Sequence, residues 1–66
     1  MSGLPSREEI YTLIKSHENG ITLNTLAQQY QISPQNSAVL IFIAELLADR
    51  KIKQERQGIE LYFMVV

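Results

Sequence analysis

The 66 residues of this chain leave room for one hydrophobic core, since a domain of this size buries only ~60% of the surface its unfolded form exposes. Hydrophobic residues at 45% and charged residues at 20% set the chain apart from a disordered tail, and no run of ~20 apolar residues offers a membrane span. With no cysteine and a formal net charge of −1, a disulfide framework, a thiolate metal site and a wholly basic nucleic-acid surface are excluded.

Met1 to Pro5 lack the basic start and apolar run of a secretory signal. An intracellular protein, cytoplasmic or nuclear, is therefore expected, with a single domain over 4–66 and a disordered start at 1–3. Ser6-Arg7-Glu8-Glu9 has the form of a capping box, in which hydroxyl and carboxylate satisfy amides that a first turn leaves unpaired. Ile10, Leu13, Ile14 and His17 then share one helical face until Asn19-Gly20, which can take left-handed C-cap geometry, so a first helix is expected over 7–18. Ile21-Thr22 reads as a short strand. Leu23, Leu26, Ala27 and Tyr30 repeat at helical spacing after an N-cap at Thr22 or Asn24, predicting a second helix over 23–30.

Ser33-Pro34 has the pattern of an N-cap followed by proline at the first helical position. A third helix is expected from there to Asp49, with Val39, Leu40, Ile43, Leu46 and Leu47 facing the core. From Lys51 the period becomes alternating, Gln57-Gly58 marks a turn, and Ile59 to Val66 is rich in strand-forming side chains. A hairpin results, with Leu61, Phe63 and Val65 on one side and Tyr62, Met64 and Val66 on the other. The expected fold class is α+β: a three-helix bundle with a short strand after its first helix and a C-terminal hairpin packed against it.

On Thr22, Leu26-Ala27, Ile32-Ser33, Val39, Ile43, Leu46 and Ile52, over nearly the whole chain, the sequence resembles the winged-helix branch of the helix-turn-helix superfamily. The stretch ITLNTLAQQYQIS carries the closest fit. The resemblance implies a small winged helix that binds double-stranded DNA as a transcriptional or replication-related regulator, with helix three in the groove and the hairpin as the wing. Small bacterial regulators of the fimbrial and iron-transport types are similar in size and ending. Two departures stand out: helix three starts about two residues early, and Arg50 occupies a position where a glycine often ends that helix.

For DNA, the residues with suitable chemistry are Gln35, Asn36 and Ser37 at the start of helix three, able to read base edges, and Arg50, Lys51, Lys53 and Arg56, able to neutralise phosphates. Each set has a plainer role, helix-start capping for the first and a solvated, aggregation-resistant edge for the second. At about 100° per residue, the outer face of helix three presents Ser37, Ala38, Ile41, Glu45 and Ala48, with Phe42 at its border and neither lysine nor arginine. That chemistry suits a protein partner, so an interaction surface of Ala38, Ile41, Glu45 and Ala48, in a homodimer or in a larger complex, is the alternative.

Tyr11, Tyr30 and Tyr62 sit at periodic positions and are expected in the core, and His17 at its boundary. One histidine, one aspartate and no cysteine supply neither a catalytic triad nor a soft-ligand metal site. The expectation is therefore no enzyme, no cofactor, no metal, no membrane and no small-molecule substrate.

Overall fold

The computed structural model describes residues 4–66, and the disorder expected at 1–3 lies outside them. Helix α1 spans Arg7–Lys15, strand β1 Ile21–Thr22, helix α2 Leu23–Gln29, helix α3 Ser37–Ala48, and strands β2 and β3 Ile52–Gln57 and Glu60–Val65. The strands form one antiparallel sheet in the order β1-β3-β2, which is the arrangement expected of a small α+β winged helix.

The capping box forms as the sequence predicts: the Glu9 amide donates to Ser6 Oγ at 3.1 Å, and the Ser6 amide donates to Glu9 Oε1 at 2.8 Å. The helix ends earlier than 18. Ser16 is its C-cap, with its hydroxyl turned back onto the Leu13 carbonyl at 2.6 Å, and residues 16–19 form a turn. Gly20, at φ +96°, belongs to the step into β1. A Cβ there would lie 2.9 Å from Met64 Cε and 3.1 Å from Tyr62 Cβ, so glycine lets the chain press against β3 as well as turn.

Of the two caps considered for α2, Thr22 is the one used, its hydroxyl accepting from the Thr25 amide at 3.2 Å. The helix closes in a Schellman motif with Gln31 at φ +56°: the Ile32 amide donates to the Ala27 carbonyl and the Gln31 amide to that of Gln28, both at 3.1 Å. Helix α3 closes identically. Arg50, at φ +60°, donates to the Leu47 carbonyl, and Lys51 to that of Leu46, both at 3.0 Å. Arg50 thus fills the left-handed position that glycine usually takes.

The start of α3 departs from the expectation at Ser33-Pro34. Residues 33–36 make a separate turn, in which Ser33 Oγ accepts from the Gln35 amide and the Ser33 carbonyl from the Asn36 amide. Asn36 is the true N-cap, its Oδ1 accepting from the amides of Ala38 and Val39 at 3.0 and 3.3 Å. A proline at a first helical position and a proline inside a preceding turn look alike in sequence, because both need φ near −65° and no N–H. The early start expected for helix three is therefore absent.

One apolar cluster joins all the layers: Ile10 and Ile14 from α1, Ile21 from β1, Leu26 from α2, Val39, Ile43 and Leu46 from α3, Ile52 from β2 and Phe63 from β3. Tyr11 and Tyr30, expected in the core, are half-buried and pack on its edge. Tyr62 does not: it is on the opposite face of β3 from Phe63 and donates to Glu60 Oε1 at 3.2 Å. The hairpin loop is Gly58-Ile59, one residue later than the expected turn, with Gly58 at φ +67°. Among the described residues no buried polar side-chain atom lacks a partner, and no helix is long and apolar enough to cross a membrane.

Candidate interaction surface

Three of the twelve residues of α3, Val39, Ile43 and Leu46, are buried, and Phe42 and Leu47 pack beside them. Anchoring that side in the core fixes which side faces water. Ser37, Leu40, Ile41, Ala44, Glu45 and Ala48 are exposed, with Leu40 at 42% and Ile41 at 56%. Leu40, expected in the core, belongs instead to the outer face, because it lies one residue beyond the centre of the buried side at Val39. Ala38 is half-buried and contributes less than expected.

Ser37, Ile41, Ala44 and Ala48 recur at steps of four, three and four, the spacing of a helical contact seam. The two alanines are flush with the helix, so another surface can approach its backbone closely. Ala44 was not among the residues anticipated. The signal that finds it is the spacing itself, three residues after Ile41 and four before Ala48, opposite Val39, Ile43 and Leu46.

The charge on this face is already balanced. Arg7 of α1 donates to Glu45 Oε1 at 2.9 Å, with both side chains about half exposed. At that exposure the pair contributes ~0–1 kcal/mol to stability. Its larger effect is local, since it leaves an apolar strip with a neutralised rim. A helix that is apolar all round normally has a covered circumference; α3 is covered on one side only.

The residues expected to read DNA are distributed differently. Gln35 and Ser37 are exposed, but the side-chain Oδ1 of Asn36 is committed to two helix amides and its residue is half-buried. Arg50, Lys51, Lys53 and Arg56 are all exposed. The strand register separates the last two. Lys53 lies across from Met64 on the outer face of the sheet, whereas Arg56 lies across from Leu61 on the inner face. Glu55 follows Lys53 on the outer face, and the hairpin tip carries Ile59, 95% exposed, and Glu60. The basic run in the sequence is therefore not a single basic face.

Two open surface grooves, of about 450 and 380 Å³, lie along α1 beside Tyr30 and between the start of α2 and the hairpin tip. Neither reaches α3, and in the first Ser6 and Glu9 are occupied by the capping box. Tyr30 donates its hydroxyl to the Glu9 carbonyl at 3.2 Å, and burial, with the Glu9 carboxylate nearby, raises its pKa above the ordinary tyrosine value. The Tyr62 pKa is raised by its hydrogen bond to Glu60. Among the described residues there is no group of three or more histidine, aspartate or glutamate side chains placed to hold a metal.

Comparison of the chain with protein-family models, with curated proteins and with solved structures returns no significant match.

Proposed function

We propose that this chain is a protein-interaction module, not an enzyme, and that it contacts its partner through the outer face of α3. The observation carrying this reading is the exposure of Leu40 and Ile41 beside Ala44 and Ala48 on a helix whose opposite side is already in the core. Covering the exposed parts of Leu40 and Ile41 would contribute roughly 1 kcal/mol each to association. Base edges call for donors and acceptors, and this face provides few. The partner surface that fits is an apolar groove or helix face, in the cytoplasm or nucleus.

A second reading follows the winged-helix resemblance: a DNA-binding regulator using Gln35 and Ser37 for bases and the exposed Arg50, Lys51, Lys53 and Arg56 for phosphates. Titration of a mixed-sequence duplex separates the two. As an interaction module the chain binds duplex no more tightly than the ~1–100 μM of non-specific contacts at physiological salt, and Gln35→Ala changes nothing. Submicromolar binding that is lost in Gln35→Ala and in Lys53→Ala would replace the first reading with the second. Ile41→Arg should abolish partner binding and leave the circular dichroism spectrum unchanged.

A further inference from the structure

Strand β2 lies at the edge of the sheet, and every residue in it after Ile52 is exposed. The Lys51 carbonyl accepts from the Val66 amide at 3.2 Å, which fixes the alternation of the strand: Lys53, Glu55 and Gln57 turn their backbone groups toward β3, and Ile52, Gln54 and Arg56 turn theirs outward. Among the described residues nothing else in the chain hydrogen-bonds those outward groups. The strand has no proline and no bulge, two of the devices that commonly close an edge. Its remaining protection is charge, and the charge has a pattern.

We infer that two copies of this chain pair antiparallel along β2, centred on Gln54, to make one continuous six-stranded sheet. In that register the Gln54 residues face one another and each Ile52 faces Arg56 of the second copy, so the outward donors and acceptors of both strands meet in about six hydrogen bonds. The intervening positions place Lys53 across from Glu55 of the second copy, twice, at the sites where antiparallel side chains come closest.

Registers in which free backbone groups meet differ by steps of two residues, and charge separates this one from its neighbours. Centring on Lys53 puts lysine against lysine and asks Arg50, held in the left-handed helix end, to act as a strand residue. Centring on Glu55 sets glutamate against glutamate and runs Ile52 against the Gly58 turn. The same Lys53-Glu55 pair that disfavours other registers and foreign edges therefore selects one symmetric pairing. The core covers β2 only at Ile52, so the edge from Lys53 to Gln57 is open to a second strand. This contact is separate from the α3 surface, and the resulting dimer would carry two such surfaces.

Sedimentation equilibrium of the whole chain up to ~1 mM at low ionic strength tests the pairing, since exposed ion pairs are least screened there. A monomer–dimer equilibrium is expected. Lys53→Glu should weaken it about ten-fold or more, and Lys53→Glu combined with Glu55→Lys, which keeps the net charge, should restore it. An equimolar mixture of Lys53→Glu and Glu55→Lys chains should form mixed dimers more tightly than either forms with itself. All these positions are exposed, and an unchanged circular dichroism spectrum verifies the fold of each variant. A wild-type chain that stays monomeric overturns the inference. So does self-association that ignores the charge changes or is abolished by Ile41→Arg, since the copies would then meet elsewhere.

Discussion

Helices α1 and α3 share one core yet differ on their outer sides. The outer side of α1 carries Arg7, Glu8, Glu9, Thr12 and Lys15, with Ile10 and Ile14 buried, so its apolar content is no more than the core requires. The outer side of α3 carries Leu40, Ile41, Ala44 and Ala48 in addition to its own buried residues. The difference shows what folding explains in this molecule and what it leaves over. Apolar residues beyond those the core consumes are the mark of a second contact, and they occur on one helix and not on the other.

Truncating isoleucines on the two sides of α3 separates the residues that the fold needs from those left over for a partner. Ile43→Ala, in the core, should cost about 2–5 kcal/mol in denaturant unfolding. Ile41→Ala, two residues earlier, should stay within about 0.5 kcal/mol. Similar costs would mean that the outer face contributes to the fold. A smaller effect is expected at the start of the helix, where Asn36→Ala removes the acceptor of two amides and should cost ~1 kcal/mol, while Gln35→Ala should cost nothing measurable. Smaller still is a gain at the other end. Arg50→Gly places glycine at φ +60° and should stabilise by up to ~1 kcal/mol, visible as a higher denaturant midpoint with an unchanged slope.

Titration of Tyr30 gives a further check on α1. A tyrosine whose folded pKa is raised adds stability that is fully present below the unfolded value near 10 and is lost as pH rises through the folded value. Stability should therefore fall in alkali above about pH 10, and less so in Tyr30→Phe.

Most of the architecture was legible in the sequence because it rests on periodicity and local caps. The Ser6-Glu9 box, Thr22 and the alternation from Ile52 to Val65 each act over a few residues and leave a readable pattern. The errors occurred where one local pattern serves two geometries. Ser33-Pro34 opens a turn as readily as a helix, and Asn19-Gly20 lies beyond the helix end that Ser16 makes. The candidate surface was legible in part. Ile41, Ala44, Glu45 and Ala48 follow from helical spacing, but Leu40, at the border of the buried side, needs the core contacts that Val39, Ile43 and Leu46 make. The Arg7–Glu45 ion pair joins residues 38 positions apart, and the separation of Lys53 from Arg56 depends on strand register, so neither could be read from neighbours in the chain.

A photo-crosslinking amino acid placed at position 41 and, as control, at position 12 on the outer side of α1 decides whether the outer face of α3 meets a protein. Irradiation in the organism's own cells should yield a discrete protein adduct from position 41 and none from position 12. Adducts from neither position, or equally from both, would show that this face of α3 is not a protein contact.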